Sequence, residues 1–98
     1  MYREGRFYHS GVLTMHVLGL EGNGPARVGV VAGKRIGSQA KRSVWKRRVR
    51  ASIGNRLAEL PEGVDLIFVL RPAILQADFT RIDAAVGELL RMAGVLAG

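Results

Sequence analysis

Ten basic residues and no acidic residue lie between Gly22 and Ala58, and they are the residues whose chemistry stands out in this sequence. The rest of the chain holds five basic and eight acidic residues, although the whole chain carries a net charge of +7. Single-sign charge concentrated in one segment is typical of a surface that binds a polyanion. The segment therefore predicts a surface that binds a polyanion, and its basic residues are Arg27, Lys34, Arg35, Lys41, Arg42, Lys46, Arg47, Arg48, Arg50 and Arg56.

Nucleic acid is the favoured polyanion. Anionic lipid is a weaker alternative, because the segment lacks the aromatic-rich apolar face of a helix that lies on a membrane. Arginine suits phosphates because its planar guanidinium pairs with two oxygens at once. Folded RNA presents phosphates at close and varied spacing, and proteins recognise it largely by shape. A helix-turn-helix for duplex DNA is disfavoured because residues 37–40 are too short to supply its first helix.

Side chains for protein-based catalysis are missing from the sequence. The chain has no cysteine, which excludes disulfides, thiolate zinc sites and cysteine nucleophiles. Residues 29–34 resemble a Walker phosphate loop only superficially, because one residue is missing between the glycines and Arg35 follows the lysine. His9 and His16 have no acidic neighbour at ligand spacing. We therefore predict no catalytic side chain and no metal site in this protein.

The basic residues need a scaffold, and a helix over residues 44–58 with Ser43 as its N-cap is predicted to hold most of them. Its buried stripe is predicted at four apolar residues spaced by four, which are Trp45, Val49, Ile53 and Leu57. Arg47 and Arg50 then project from the opposite side, with Lys46 and Arg48 on the flanks and a second cluster at 41–42 before the helix.

Three strands and a second helix complete the predicted fold. Residues 12–18 alternate as a strand with Leu13, Met15 and Val17 on one face, and residues 27–33 form the next strand after a hairpin-type turn at 21–25. Residues 64–70 are almost continuously apolar, which favours a central strand covered on both faces.

Apolar residues at helical spacing predict the second helix over 79–93, capped by Asp78 or Thr80. The order β-β-α-β-α indicates a small α+β sandwich in a single domain. No apolar run is long enough to span a membrane and the N-terminus carries no signal-peptide pattern, so we expect a soluble cytoplasmic protein.

Four motifs stand out when they are taken together. They are Arg27-Val-Gly-Val-Val-Ala-Gly-Lys-Arg-Ile-Gly37, Lys41-Arg42-Ser43, Lys46-Arg47-Arg48-Val49-Arg50 and Asp65-Leu-Ile-Phe-Val-Leu-Arg71-Pro72. This combination resembles the protein subunit of bacterial ribonuclease P over roughly residues 1–93. The chain departs from the family pattern at Ser43, Val44 and Ala51, where the family has Asn, Arg and Glu or Gln, and we expect most of the family's first helix to be absent.

The resemblance implies both a fold and an activity. The fold is a two-layer α+β sandwich like the second domain of ribosomal protein S5, with a left-handed βαβ crossover carrying the basic helix, and residues 1–98 form one RNA-binding domain. The activity is that of an endoribonuclease whose RNA subunit uses Mg²⁺ to release the 5′ leader of precursor tRNA. The protein itself binds no cofactor, no membrane and no obligate protein partner.

The resemblance also assigns roles to particular residues. Tyr2 and His16 would line the cleft that receives the leader of precursor tRNA, where stacking on single-stranded bases tolerates any sequence. The contacts with RNA, including the ribonuclease P RNA, would be made by Lys34, Arg35, Lys41, Arg42, Ser43, Lys46, Arg47 and Arg50.

Alternatives remain open for the function and for single residues. The chain could instead be a structural RNA-binding module of ribosomal-protein type with no role in cleavage, or a DNA-binding regulator that forms symmetric dimers. Tyr2 could be a frayed terminal residue, and His16 a half-buried strand residue. Trp45 is interpreted as a core anchor rather than a stacking ring. Arg48 and Arg56 could simply flank the core and keep it soluble, and Arg71 could contact RNA or cap the end of the sheet. Phe7 and Tyr8 are left unassigned between packing and stacking.

Overall fold

A computed structural model describes residues 6–19 and 24–95. In these residues, three strands come first in the chain and are followed by a helix, a fourth strand and a second helix, with three short 3-10 turns between them. The strands are β1 Arg6–Ser10, β2 Leu13–Gly19, β3 Arg27–Val31 and β4 Asp65–Leu70. The helices are α1 Gln39–Gly54 and α2 Phe79–Met92, and the 3-10 turns are Lys34–Ile36, Leu57–Glu59 and Pro72–Gln76.

The four strands form one sheet in the order β1-β2-β4-β3. β2 pairs antiparallel with both β1 and β4, whereas β3 pairs parallel with β4. The connection from β3 through α1 to β4 is therefore the expected βαβ crossover, and its left hand stays an expectation from the resemblance. The hairpin predicted between residues 12–18 and 27–33 is wrong, because β4 lies between those strands. Turn-forming residues mark where a chain reverses but do not choose its pairing partner.

One face of the sheet carries the core. Leu13, Met15 and Val17 are buried on this face, as predicted from their alternation, and helices α1 and α2 pack against it. The central position of β4 is confirmed, but its expected coverage on both faces is wrong. Its residues alternate between buried and half-buried, because both helices lie on the same side. The opposite side is called the open face below.

The second helix matches its prediction closely. It covers Phe79–Met92, and Asp78 caps it by accepting a hydrogen bond from the backbone nitrogen of Arg81 at 2.8 Å. Its buried residues face the sheet and α1. Strand β1 is an addition that the sequence interpretation did not contain, since residues 6–10 form a short strand with mostly exposed side chains.

The first helix differs from its prediction at both ends. It begins at Gln39 rather than 44, and its N-cap is Ser38 rather than Ser43. Its first turn contains no buried residue, so it carries no apolar signal by which its start could be found. Leu57, predicted to be buried, lies beyond the helix and is 47% exposed. None of the helices in the described ranges is long and apolar enough to cross a membrane.

Candidate nucleic-acid interface

Helix α1 carries six of the eight predicted RNA-contacting residues. Positions 42, 46 and 50 recur every four residues and therefore lie in one line along the helix. Arg47 is exposed beside this line, and Ser43 is an exposed interior residue of the helix rather than its cap. The early start of the helix also places Lys41 and Arg42 in α1 itself, so the predicted separate cluster is wrong.

A small cleft opens beside this line of residues. It has a volume of about 120 Å³ and is lined by Ala32, Gln39, Arg42, Ser43 and Lys46. Arg42 and Lys46 are half-buried there, so their aliphatic stems are packed while their charged ends reach solvent. The cleft brings two cations, an amide and a hydroxyl together, and these groups can donate hydrogen bonds to phosphate oxygens.

The turn before α1 adds two further cations. Lys34 and Arg35 are exposed on the 3-10 turn Lys34–Ile36, whose Ile36 is buried and anchors it. Gly37 follows with φ of +134°, and a Cβ placed there would lie 2.6 Å from Cδ of Lys41. Glycine at this position therefore allows both the sharp turn and the close passage of the Lys41 stem.

Two of the ten basic residues are neutralised by ion pairs with acidic side chains. Arg27 makes a bidentate ion pair with Asp65. Its Nε donates to Oδ1 of Asp65 at 2.9 Å and its Nη2 donates to Oδ2 at 2.8 Å. This contact, mainly through its hydrogen bonds, raises the pKa of Arg27 and lowers the pKa of Asp65. Arg56 pairs with Asp83 on α2, with Nη1 of Arg56 lying 2.7 Å from Oδ1 of Asp83.

The Arg56 pair ties the end of α1 to α2. The buried Ser52 hydroxyl donates to Oδ1 of Asp83 at 2.6 Å, and Nη1 of Arg56 also contacts the Ser52 hydroxyl at 3.2 Å. Hydrogen bonds from Arg56 and then Ser52 hold the pKa of Asp83 below its ordinary value. A Cβ at Gly87, in the middle of α2, would lie 3.1 Å from Nη2 of Arg56. Arg56 is thus a bridge between the helices, and the idea that it merely solubilises a flank is wrong.

The remaining eight basic residues of the segment form no ion pair with an acidic side chain in the described part of the chain. Seven of them are predicted RNA contacts. The eighth, Arg48, places its guanidinium carbon 4.5 Å from the ring centre of Trp45, which is itself buried. Trp45 is therefore a core anchor, as interpreted from its place on the apolar stripe, and Arg48 covers its ring.

The open face of the sheet holds His16, the second predicted cleft residue. His16 lies opposite Phe7 on β1, and the two rings are stacked with centroids 4.0 Å apart and planes inclined by 11°. His16 is half-buried and Phe7 is 60% exposed. Tyr2, the other predicted cleft residue, lies outside the described residues. Phe7 had no assigned role from sequence, because its ring partner is fixed by strand register.

A polar cluster lies on the same face where β4 ends. Nη1 of Arg71 donates to Oγ1 of Thr14 at 3.4 Å, and Nδ1 of His9 lies 3.1 Å from the same oxygen. Thr14 pairs with both His9 and Val69 in the sheet, so the cluster occupies one row of the ladder. Arg71, left undecided from sequence, is therefore an exposed cation on the open face.

The described residues contain no group of three or more His, Cys, Asp or Glu side chains that could hold a metal ion. What the structure brings together is a set of cations on α1 and its preceding turn, and rings with a further arginine on the open face. Cations and exposed rings of this kind can bind phosphates and bases.

Comparison with known proteins identifies relatives across nearly the whole chain. The ribonuclease P protein component of Chloroflexus aggregans is 36% identical over 93 residues, which cover 94% of this chain and 68% of that protein. The ribonuclease P protein components of Symbiobacterium thermophilum and Clostridium perfringens are 30% and 31% identical and cover 98% and 97% of this chain and 84% and 81% of theirs.

Solved structures share the fold at lower sequence identity. The ribonuclease P protein of Staphylococcus aureus matches with a TM-score of 0.84 at 18% identity, covering 98% of this chain and 87% of that one. That of Thermotoga maritima matches with a TM-score of 0.80 at 20% identity, with the same coverage. The sequence model of the ribonuclease P family matches residues 1–94. With the fold, the basic helix and these relatives in agreement, the chain belongs to the ribonuclease P protein family.

Proposed function

We propose that this protein binds the catalytic RNA of a ribonuclease P ribonucleoprotein through α1 and its preceding turn, and the 5′ leader of precursor tRNA on the open face. In this role it promotes the endonucleolytic removal of the leader in the cytoplasm. Hydrolysis is assigned to the RNA subunit and its Mg²⁺, and the protein contributes positioning and charge.

One observation carries this proposal. In a member of this family, the cations at positions 42, 46 and 50 lie in line along one flank of α1 with no acidic partner in the described chain. Each such cation can neutralise one phosphate and release a counterion. Three or more phosphate contacts made together give strong, salt-sensitive binding to RNA.

The open face supports the second half of the proposal. Its rings and arginine match the needs of a single strand, which binds by base stacking together with backbone charge. A mature tRNA lacks the leader and therefore lacks this contact. The protein is accordingly expected to favour leader-bearing substrate over mature tRNA.

A reconstitution assay tests the proposal. The protein is mixed with a bacterial ribonuclease P RNA and a leader-bearing precursor tRNA, at a magnesium concentration too low for the RNA alone. We expect leader release only in the combined sample, with protein-only and RNA-only samples as controls. RNA binding without any stimulation of cleavage would contradict the proposal and favour the structural RNA-binding module instead.

A further inference from the structure

The stacked pair of Phe7 and His16 has an exposed side that no residue in the described ranges covers. Phe7 lies on β1, at the edge of the described sheet, and is 60% exposed although its ring is held against His16. A large exposed aromatic that is already oriented by a second ring is a preformed stacking surface, because little rotamer freedom remains to be lost on binding.

We propose that Phe7, stacked on His16, binds one nucleobase of the leader, and that Arg71, anchored on Thr14, binds a phosphate beside it. The two parts form a one-nucleotide subsite on the open face. This inference deepens the proposed function and rests on it, since it assumes that the leader crosses this face. It adds Phe7 as a base-binding residue and Thr14 as a positioning residue.

The spacing of the two parts fits one nucleotide. Phe7 and His16 pair in one row of the sheet, and His9 and Thr14 pair in a row two residues along the strands. Two residues of a strand span about 7 Å, which is the scale of one nucleotide in a single strand. Alternate residues point to the same face, so both rows lie on the open face.

Charge shows which end of the face takes the phosphate. Arg71 is held by the neutral hydroxyl of Thr14 and forms no ion pair with a carboxylate in the described part of the chain. Its full positive charge and most of its N–H groups therefore remain for a ligand. Arg27 lies at the opposite end of the same face, but Asp65 neutralises it. Of these two arginines, Arg71 is therefore the one whose charge remains to attract a phosphate.

The Arg71 end of the open face also adjoins the proposed RNA-binding turn. β3 and β4 run parallel, so both end at the same edge of the sheet. The 3-10 turn that follows β3 contacts the one that follows β4. Lys34 and Arg35 on the first turn therefore continue the positive surface that begins at Arg71. This complementarity to a phosphate backbone favours a nucleic-acid strand over an apolar protein partner at Phe7.

The stacking part is tested by Phe7→Leu, which keeps apolar bulk but removes the ring. Affinities of the holoenzyme are measured for leader-bearing precursor and for mature tRNA. We expect about a five- to tenfold loss for the leader-bearing substrate alone, with Phe7→Tyr retaining affinity. The matched control is Phe79→Leu, because Phe79 is an exposed phenylalanine on α2. It should change neither affinity.

The base itself is located by abasic substitution along the leader. At one leader position, removal of the base should weaken wild-type binding and abolish the difference between wild type and Phe7→Leu. A difference that persists at every abasic position would show that Phe7 binds no base and would overturn the subsite.

The phosphate part has its own readout in the salt dependence of binding. Arg71→Gln should lower the slope of log affinity against log salt by about 0.7, the value for one phosphate of a single strand. The double variant Arg27→Gln/Asp65→Asn removes the paired guanidinium at unchanged net charge and should keep the slope. Thr14→Val should weaken leader binding with the slope retained, and Thr14→Ser should restore it. An unchanged slope in Arg71→Gln would overturn the phosphate assignment.

The two levels of the proposal fail in different ways. If the wild-type holoenzyme binds leader-bearing and mature tRNA equally, the leader role and the subsite are both wrong. If the wild type prefers the leader-bearing substrate and Phe7→Leu behaves like the wild type, the subsite alone is wrong.

Discussion

The two helices are of similar length but are built for different purposes. α2 has 14 residues and buries six of them, whereas α1 has 16 residues and buries only four, one of which is a serine. α2 therefore gains its stability from the core. α1 has its basic surface facing solvent and is anchored by a narrow apolar stripe and by contacts with α2. A binding helix can be rich in charged residues because the neighbouring helix supplies most of the buried apolar contacts.

The contact between Arg56, Ser52 and Asp83 shows how α1, which buries fewer residues than α2, is held in place. Asp83 is a carboxylate of α2 that accepts hydrogen bonds from both α1-side groups. The acidic partner that the basic segment lacks in sequence is thus supplied by the other helix. Helix α1 therefore depends on α2 for an ion pair as well as for apolar contacts.

The largest expected effect tests the difference in packing directly. Ile53 on α1 and Ile82 on α2 are 4% and 0% exposed. We expect Ile82→Ala to lower the free energy of unfolding by about 4 kcal/mol and Ile53→Ala by about 2–3 kcal/mol, because the narrow stripe of α1 relaxes more easily around a cavity. Urea unfolding measures both. A loss for Ile53→Ala equal to or greater than that for Ile82→Ala would contradict the claim that α2 contributes more than α1 to the stability of the core.

The next effect concerns the bridge between the helices. Asp83→Asn leaves the half-buried Arg56 without its counter-charge, and we expect a loss of about 1–3 kcal/mol in unfolding free energy. The control is Asp65→Asn, which breaks the exposed pair with Arg27 and should cost less. Thermal and urea unfolding of the two variants at neutral pH give the ranking. If the two losses are equal, the bridge has no special role.

Lowering the pH should also remove the stabilising contribution of Asp83. The pKa of Asp83 is lowered in the folded protein, mainly by hydrogen bonds from Arg56 and Ser52. Its stabilising contribution is therefore present above the ordinary Asp pKa of about 3.9 and is lost as the pH falls through the lower folded pKa. The melting temperatures of wild type and Asp83→Asn should differ at pH 6 and converge toward pH 2. A gap that stays constant with pH would contradict this origin.

A smaller effect separates the two helices in binding. Arg50 and Arg91 are exposed arginines on α1 and α2, so their replacement by Gln removes the same charge. Arg50→Gln should weaken binding to the RNA subunit by roughly five- to tenfold and lower the salt slope by about 0.7–0.9, because one phosphate contact is lost. Arg91→Gln should change affinity by less than about twofold. Filter binding at several salt concentrations decides between them.

The smallest effect lies at the helix starts. Asp78 caps α2 with a charged oxygen at 2.8 Å, whereas Ser38 caps α1 with a hydroxyl at 3.3 Å. A carboxylate also interacts favourably with the helix dipole. We expect Asp78→Ala to cost about 1–1.5 kcal/mol and Ser38→Ala about 0.5 kcal/mol, both measured by urea unfolding. The reverse order would show that the cap of α1 matters more than its geometry indicates.

Sequence patterns predicted the parts of the fold that have strong periodicity. α2 and β2 carry apolar residues at clear helical and strand spacing, and both were found where that spacing placed them. The start of α1 was missed because residues 39–43 bury nothing and leave no apolar signal. The exposed strand β1 was missed for the same reason.

Apolar and charge patterns along the sequence do not predict which distant segments pair with each other. The insertion of β4 between β2 and β3, the bridge from Arg56 to Asp83 and the stack of Phe7 on His16 all depend on strand order and register. The sequence placed Lys46, Arg47, Arg48 and Arg50 on one helix, because charge that is close in sequence stays together on a helix, but it assigned Lys41 and Arg42 to a separate cluster that the structure includes in α1. The open-face cluster at Arg71 was not identified, since its members come from three separate strand ends.

The strand order has a consequence for synthesis of the chain on the ribosome. β4 pairs with β2 over a separation that joins Leu13 to Leu70, and it also supplies the parallel partner of β3. Pairing between such distant residues forms slowly and only after the later strand has been made. The basic segment therefore emerges before its scaffold can close, while the nascent chain is surrounded by ribosomal RNA. The segment can take its folded shape only after β4 and then α2, which supplies Asp83, have been made.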